Sequence, residues 1–240
     1  VFNYSPLSTG TAVFNLPLSS TPFADSSSNT YTVTNTGSVG TASAGTNRFN
    51  ITNVASFDGA NQRLNMDSNV TLTGKWTIDA WIKLDSSASG YNAIYNSGYT
   101  SSNNTYIYMS LDDDEKPYLE GGSAGGRTTA TNAINKNQWY HFRATQDGGG
   151  MYLYVDGEKV VTHGKNTTDM SSLGTKTIGS LLDNGNNANN FHGLIGPVRY
   201  VGSDLGPPPF GGLATTSGAL SNTPAIPALN AGTSETVPQA

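Results

Sequence analysis

Residues 137–157 read NQWYHFRATQDGGGMYLYVDG, and this stretch decides the fold. An apolar run at 139–144 is broken by Asp-Gly-Gly-Gly at 147–150, and aliphatic residues then alternate with tyrosines at 151–155. Alternation with a period of two is typical of a β-strand with two different faces. Glycine tolerates the positive φ angles of tight turns, so the Gly-rich break indicates a hairpin. The stretch predicts two antiparallel strands and, after Asp-Gly at 156–157, the start of a third.

The same alternation recurs along the chain, without convincing helical periodicity. WTIDAWIKL (76–84) has aliphatic residues on one face and Thr77, Asp79, Trp81 and Lys83 on the other. Many short strands separated by turns indicate an all-β sandwich, barrel or jelly roll. Further strands are expected within residues 92–98, 105–111, 118–122, 158–164, 176–181 and 191–202.

Composition excludes several classes of protein. Only 12% of the 240 residues are charged, the net charge is −5, and there is no cysteine. Without a run of Lys or Arg, a nucleic-acid partner is not expected. No apolar stretch approaches the roughly 20 residues that a membrane helix needs, so membrane insertion is not expected either. A composition rich in Gly, Ser, Thr and Asn is common in extracellular and virion β proteins.

Composition also divides the chain into three parts. Residues 1–47 are predicted to form an extended Ser/Thr/Asn-rich arm with little core of its own, with an edge strand at 13–18 and a short strand at 30–37. Residues 48–203 carry the strong strand pattern and form the sandwich. Residues 204–240 form a Pro/Ala/Gly-rich tail, since Pro-rich segments favour extended chain. Because the chain starts at valine, we expect a cleavage before it or an upstream segment.

Four stretches resemble one known fold. FDGANQRLNM (57–66), WTIDAWIKL (76–84), NQWYHFRATQDGGGMYLYVDGEKV (137–160) and NFHGLIGPVRY (190–200) resemble, in order, the laminin-G-like and pentraxin-like group of concanavalin A-like lectin/glucanase folds. The resemblance covers residues 49 to 202. It implies a concanavalin A-like (laminin-G-like) antiparallel jelly-roll sandwich. It does not fix the function, because this fold hosts lectins, adhesion modules and glycosidases.

A second resemblance is narrower. RYVGSDLGPPPFGG (199–212) is similar to the end of laminin-G-like modules in bacteriophage tail and virion proteins, with Arg199-Tyr200 and the prolines before Phe210 as the matching residues. It implies a phage structural or host-recognition protein.

No cofactor is expected, and calcium is the one metal that the resemblance suggests. In some relatives the FDG region lies near a calcium ion helped by an acidic pair in the closing strand, which here would implicate Asp58. In this chain Gly196 and Pro197 stand where that acidic pair would be. The acidic run at 112–115 is predicted to be a hairpin turn, with a calcium site as the alternative.

The carboxylate pattern argues against an enzyme. Glycosidases of this fold carry E-x-D-x-x-E on one strand, because hydrolysis needs two carboxyl groups across the scissile bond. This pattern does not occur, and Asp79 has Trp81 and Lys83 as its same-face neighbours. The three histidines are dispersed, without a G-x-S-x-G or H-E-x-x-H motif.

Aromatic residues provide the candidate binding site. Each lies on the face opposite the aliphatic stripe of its strand, so they form one outer face if their strands share a sheet. Such a face binds either a glycan, by stacking and hydrogen bonding, or another protein. On the first interpretation, replacing Trp81 or Tyr152 with alanine should abolish glycan binding and leave the melting temperature nearly unchanged. The candidates are Trp81, Tyr106, Tyr108, His141, Tyr152 and Tyr154.

The leading hypothesis is a non-enzymatic bacteriophage virion protein, a capsid decoration or a tail or fibre component, with a lectin-like domain for glycan attachment or assembly. The alternatives are a secreted bacterial carbohydrate-binding or adhesion module and, third, an atypical glycoside hydrolase. The expected partners are other virion proteins or a cell-surface glycan. The arms suggest a homo-oligomer or a larger assembly, because an ordered arm usually lies along a partner. The expected location is the virion or, alternatively, the extracellular space.

Overall fold

The structure is a computed structural model that describes residues 12–47, 51–66, 70, 73–98, 106–121, 126–164, 175–183 and 186–208. These residues form seventeen β-strands and no helix. The strands are β1 (Ala12–Leu16), β2 (Val33–Thr36), β3 (Gly40–Ser43), β4 (Asn53–Asp58), β5 (Arg63–Met66), β6 (Trp76–Leu84), β7 (Asn92–Ser97), β8 (Ile107–Leu111), β9 (Pro117–Gly121), β10 (Arg127–Thr129), β11 (Trp139–Gln146), β12 (Met151–Val155), β13 (Glu158–His163), β14 (Lys176–Ile178), β15 (Leu181–Asp183), β16 (Asn186–Ala188) and β17 (His192–Val201).

Two antiparallel sheets form a sandwich. Sheet A has eight strands in the order β13-β12-β11-β6-β17-β4-β3, and β1 pairs with the second half of β17. Sheet B has seven strands in the order β10-β9-β8-β7-β14-β5-β2, and β15 pairs with β16 as a separate hairpin. Every pairing between these strands is antiparallel, so the predicted all-β sandwich is confirmed.

The stretch at 137–157 forms β11 and β12, two adjacent inner strands of sheet A. β11 lies between β6 and β12, with Phe142 opposite Ala80 and Ala144 opposite Leu153. These four side chains are at most 1% exposed and belong to the core between the sheets. The predicted alternation is therefore confirmed, because the intervening residues of β6, β11 and β12 point to the outer face of sheet A.

One apolar core fills the space between the sheets. Tyr200 of β17 lies at its centre, with its ring centroid 5.3 Å from that of Phe14 and 5.2 Å from that of Tyr95. All three residues are at most 1% exposed. Burial of a side chain of this size stabilises the fold by about 1.5–3 kcal/mol, so this contact between the first, seventh and last strands is a large contribution.

The N-terminal residues differ from the extended arm that composition predicts. β1 pairs with β17 in sheet A, β2 with β5 in sheet B, and β3 with β4 in sheet A. Phe14, Leu16 and Phe23 are at most 5% exposed and belong to the main core. The sandwich therefore includes β1, β2 and β3, which precede the predicted boundary at residue 48. The two short strands expected in this region, at 13–18 and 30–37, do occur.

The C-terminal side of the sandwich lies close to the predicted boundary. β17 ends at Val201, and residues 203–208 then cross the outer face of sheet A. Residues 209–240 of the predicted tail (204–240) lie outside the described residues.

Aspartate side chains hold two of the predicted turns. In the acidic run, Asp112 Oδ1 accepts the N–H groups of Asp114 and Lys116 at 3.0 and 2.8 Å. In the Gly-rich loop, Asp147 Oδ1 accepts the N–H groups of Gly149 and Gly150 at 2.7 and 3.2 Å. Both segments are hairpin turns, as the sequence indicates.

Gly179, which follows β14, fits only because it has no side chain. Its φ is +84°, and a Cβ atom there would lie 2.2 Å from Cε1 of Phe57, a ring that is 2% exposed. We expect Gly179→Ala to lower the free energy of unfolding by about 2–4 kcal/mol, because left-handed backbone strain adds to overpacking. Urea unfolding measures the change.

Gly90 provides the matched control. Its φ is +66°, but nothing lies within 4 Å of an added Cβ atom. Gly90→Ala therefore tests backbone strain alone, and we expect a loss of about 1 kcal/mol. Equal losses in the two variants would contradict the proposed clash with Phe57.

Candidate functional site

Trp81 and His141 lie side by side on the outer face of sheet A, but they are covered. Their ring centroids are 5.1 Å apart, and the residues are 1% and 0% exposed. Trp81 packs in a small apolar cluster with Val54 and Trp139, and the Trp139 Nε1–H group donates to the carbonyl of Ala44 at 2.9 Å. The expectation that these rings face solvent is therefore wrong, and neither can contact a ligand in this structure.

Tyr152 and Tyr154 lie on the same outer face, where they pair with Thr145 and Arg143 of β11. Both are half-buried, so they retain exposed surface. The ammonium group of Lys159 lies 5.3 Å from the centroid of the Tyr152 ring, which is a cation–π distance. Among the six aromatic and histidine candidates, these two are the accessible ones.

A charged cluster occupies the centre of this face. Asp79 Oδ1 lies 2.6 Å from Nε of Arg143 and 3.1 Å from Nε2 of His141. Asp79 Oδ2 accepts from Nη2 of both Arg143 and Arg199 at 3.3 Å. The four residues are at most 3% exposed, and the Asp79 carboxylate lies between two buried guanidinium groups, which are expensive to bury without a counter-charge.

These partners set the pKa of Asp79. Burial by itself raises the pKa of Asp79. The hydrogen bond and charge of His141, followed by those of Arg143, lower it by a larger amount, so the net change is from 3.8 to about 2. Asp79 is therefore ionised and structural, rather than a general acid held ready in a cleft.

Residues 203–208 cover part of the cluster. The hydroxyl of Thr77 donates to the carbonyl of Ser203 at 2.8 Å and accepts the N–H group of Leu205 at 3.0 Å. Nη1 of Arg143 donates to the carbonyl of Gly206 at 3.3 Å. The segment after β17 is thus tied to the outer face of sheet A by side chains of β6 and β11.

Tyr106 and Tyr108 lie on the outer face of the other sheet. They belong to sheet B, whereas Trp81, His141, Tyr152 and Tyr154 belong to sheet A, so the six candidates do not form one face. Tyr106 and Tyr108 are 5% and 1% exposed. They form the floor of an aromatic cluster over which the β15–β16 hairpin packs, through Leu181 and Ala188.

An arginine is held on this aromatic floor. The Arg127 guanidinium carbon lies 4.3 Å from the ring centroid of Tyr118 and 4.9 Å from that of Tyr91. The two rings meet edge to face, with centroids 6.1 Å apart. Nη1 of Arg127 also donates to the Tyr91 hydroxyl at 3.2 Å, which fixes the position of the guanidinium.

Glu120 completes the arrangement. Its Oε2 accepts from Nε of Arg127 at 3.2 Å, and its Oε1 accepts from the hydroxyl of Tyr106 at 2.8 Å. The Arg127 side chain is 37% exposed and that of Glu120 is 16% exposed. We call these five residues the Arg127 site; they are Tyr91, Tyr106, Tyr118, Glu120 and Arg127.

The surroundings keep Arg127 charged and Tyr118 neutral. Burial by itself lowers the pKa of Arg127. The hydrogen bond with Tyr91 and the neighbouring Tyr118 and Glu120 raise it by a larger amount, so the net shift is upward. Burial raises the pKa of Tyr118 well above 10.0, so its hydroxyl stays neutral. The site therefore presents a fixed guanidinium beside a partly exposed carboxylate and a half-buried ring. This combination can hydrogen-bond hydroxyl groups and stack on an apolar ring face.

Four members of this site were not predicted from the sequence. Tyr118 and Glu120 have one detectable signal, their alternation with Leu119 in the predicted strand at 118–122. Tyr91 precedes its strand, so no strand pattern points to it. Arg127 begins a three-residue strand, which is too short to have a recognisable period.

Asp58, the candidate calcium ligand, holds a turn. Its Oδ1 accepts the N–H group of Ala60 at 2.9 Å, and its own N–H group donates to Gln62 Oε1 at 2.9 Å. Within the described residues no group of three or more His, Cys, Asp or Glu side chains could hold a metal ion.

A groove of about 470 Å³ lies away from both aromatic clusters, where β1 meets the end of β17. Small and apolar residues line it, without a charged side chain, so we do not assign it a function. They are Ala12, Val13, Ser28, Asn29, Val201, Gly202 and Ser203.

Fold and site together define a lectin-type β-sandwich, with two antiparallel sheets and an aromatic, charged patch on an outer face. Residues 57–207 match the family described as the concanavalin A-like lectin/glucanases superfamily, and the chain belongs to this family. No curated protein matches the sequence significantly.

Solved structures with the same fold include binding domains. Domain 4 of AbnA, an extracellular arabinanase of family GH43 from Geobacillus stearothermophilus in complex with arabinotriose, is 18% identical, with a TM-score of 0.61 over 82% of this chain and 95% of that one. The receptor binding domain of botulinum neurotoxin mosaic serotype C/D is 14% identical, with a TM-score of 0.59 over 82% of this chain. This chain spans 48% of that toxin domain.

No helix long and apolar enough to cross a membrane occurs among the described residues.

Proposed function

We propose that this domain is a non-catalytic module that binds a glycan at the Arg127 site. The observation that carries the proposal is the Arg127 guanidinium, which is fixed against Tyr118 and Tyr91 and yet is 37% exposed on its side chain. A sugar hydroxyl can pair with the guanidinium and with Glu120, while a C–H face of the ring packs on Tyr91. Because the groups are already positioned, little side-chain entropy is lost on binding.

The contacts of Glu120 support a binding role rather than hydrolysis. Its two oxygens accept hydrogen bonds from Tyr106 and Arg127, which fix the position of the carboxyl group. Glycoside hydrolysis needs a second carboxyl group about 5–10 Å away and an acid with a raised pKa. The groups found in contact with Glu120 among the described residues are instead a phenol and a guanidinium.

We further propose that the module lies on the surface of a bacteriophage virion, as a capsid decoration or as part of a tail or fibre, with virion proteins or a host glycan as partners. The low content of charged residues and the RYVGSDLGPPPFGG segment at 199–212 support this location.

The second candidate is a secreted bacterial carbohydrate-binding or adhesion module. One observation favours it: this chain resembles an arabinanase domain that was solved with arabinotriose, and the likeness covers 95% of that domain. Arabinose oligosaccharides are therefore the first probe to try for either location.

The Arg127→Ala variant tests the site. We expect it to weaken glycan binding by about tenfold or more, since arginine anchors of this kind dominate binding energies. Stability should change by about 1 kcal/mol or less, because the lost contacts are a surface ion pair and a cation–π pair. A glycan array that includes arabinose oligosaccharides, run with calcium and with chelator and followed by calorimetry, measures the affinity.

Lys159→Ala is the matched control. It removes a cation that also lies over a tyrosine ring, that of Tyr152, but on the outer face of sheet A. Binding by this variant should equal that of the wild type. If Lys159→Ala abolishes binding while Arg127→Ala retains it, the site lies on sheet A; if the wild-type chain binds no glycan, the proposed function is wrong.

A further inference from the structure

The sandwich ends on one side in two strands that lack the usual protection of sheet edges. β2 is the last strand of sheet B and β3 is the last strand of sheet A, and residues 37–39 join them directly. Both strands therefore lie on the same side of the molecule. In the part of the chain that the structure describes, β3 pairs with β4 and with no other strand, and β2 pairs only with β5.

An exposed edge strand offers unpaired N–H and C=O groups to any other strand. Proteins usually block such edges with charged side chains, proline, bulges or a covering segment. Residues 26–47, which contain β2 and β3, have no Asp, Glu, Lys, Arg or His, and no proline. The exposed side chains of β3 are those of Thr41 and Ser43, which are small and neutral.

The other edges of the same sandwich are protected. β13 carries Glu158 and Lys159, and a register shift interrupts its pairing with β12. β10 carries Arg127. The β2–β3 side therefore lacks the charged side chains that the other two edge strands carry.

The outer edge of β1 is covered by side chains of the segment that follows it. The carboxylate of Asp25 accepts the N–H group of Asn15 at 2.9 Å. The carbonyl of Val13 accepts from Ser27 Oγ at 3.2 Å and from Asn29 Nδ2 at 2.8 Å. A strand from another molecule cannot replace these bonds without removing the segment.

We propose that the β2–β3 side is an interface with a second copy of this chain, formed by antiparallel pairing of β3 with β3 across a two-fold axis. The rest of the chain carries a net charge of −5 and repels another copy, whereas this side brings no like charges together. In a two-fold contact the same patch of each copy meets itself, so the patch must be self-complementary. A short neutral strand is self-complementary, because it can pair with its own copy in several registers without bringing like charges together. The pairing extends sheet A continuously from one subunit into the other.

Two-fold symmetry determines which side chains meet. The axis is perpendicular to the sheet and keeps each face on its own side, so Thr41 lies opposite Thr41 or Ser43 of the other copy. Lysine at both positions, in the variant Thr41→Lys/Ser43→Lys, therefore places like charges opposite each other in each of these registers. Glutamate at both positions does the same with the opposite sign.

The test is sedimentation velocity on the full chain across a range of concentrations. We expect the wild-type chain to dimerise, and each double variant to remain monomeric at concentrations about tenfold or more above the wild-type midpoint. An equimolar mixture of the lysine and glutamate variants should form the dimer again, because opposite charges then face each other. This rescue separates a lost interface from a misfolded variant.

Thr162→Lys is the control, since Thr162 is exposed on β13, the edge strand at the opposite end of sheet A. It should dimerise as the wild type does. A monomeric wild-type chain overturns the proposal, and so do double variants that still dimerise or a mixture that stays monomeric. None of these outcomes depends on glycan binding, which is measured separately at the Arg127 site.

Discussion

Replacing Asp79 with asparagine is expected to lower the free energy of unfolding by about 3–5 kcal/mol, because it leaves buried arginines without their carboxylate. Arg143 and Arg199 both contact Asp79, and none of the three residues is more than 3% exposed. Amide oxygen can still accept a hydrogen bond, but it carries no charge to balance two guanidinium groups. Urea unfolding at neutral pH, monitored by tryptophan fluorescence, measures the loss.

Asp114→Asn is the appropriate control. The Asp114 carboxylate lies 3.1 Å from Nζ of Lys116, but its side chain is 72% exposed. Surface ion pairs of this kind contribute about 0–1 kcal/mol, so stability should hardly change. If the two asparagine variants are equally stable, the buried cluster contributes no more than an ordinary surface pair.

The same carboxylate gives stability a defined pH dependence. The pKa of Asp79 is about 2 in the folded chain, against 3.8 for the unperturbed side chain. The unfolded state therefore binds the proton more tightly, and the stabilisation by the ionised carboxylate is complete above about pH 4 and lost as the pH falls toward 2. Across this window the wild type should lose more stability than Asp79→Asn; parallel losses would contradict the assignment.

Trp81→Ala should destabilise the fold by about 3–5 kcal/mol, as expected for removal of a fully buried indole. Trp81 is 1% exposed and packs against Val54 and Trp139 outside the main core. The expectation from sequence is the opposite, since an exposed ring contributes little to stability. Thermal and urea unfolding distinguish the two interpretations directly.

Tyr152→Ala is the counterpart on the same sheet face. Tyr152 is half-buried, so its removal should cost about 1 kcal/mol or less. A Trp81→Ala variant as stable as Tyr152→Ala would mean that the indole is not covered in solution, and it would restore sheet A as a candidate binding face.

Strand positions could be predicted from sequence because alternation is a local property. β6 spans Trp76–Leu84, the stretch predicted for it, and β12 spans Met151–Val155, where the alternation is predicted; β11 begins at the predicted Trp139 but extends two residues beyond the apolar run, to Gln146. The same locality explains why the role of the N-terminal strands in the core could not be predicted. The short apolar stretch at 12–18 is surrounded by polar residues, and the burial of Phe14 and Leu16 depends on β17, more than 180 positions later in the chain.

The binding site could not be predicted equally well. Alternation shows which residues of one strand share a face, but it shows neither the sheet that the strand joins nor what covers that face. Trp81 and Tyr108 both lie opposite their aliphatic stripes, yet they belong to different sheets. Trp81 is covered by a neighbouring segment that includes Ala44, and Tyr108 packs with Leu181 beside the β15–β16 hairpin.

Pairing of the first strand with the last has a mechanical consequence. Ala12 lies opposite Val201, the register shifts before Phe14, and the antiparallel pairing then runs from Phe14 opposite Tyr200 to Leu16 opposite Val198. Tension applied between the two ends of the sandwich would load the Ala12–Val201 pair first and peel β1 away one hydrogen bond at a time. Such a domain unfolds at low force when it is stretched between attachments at both ends. When only one end is attached, no tension acts across the β1–β17 pairing, and the domain stays folded.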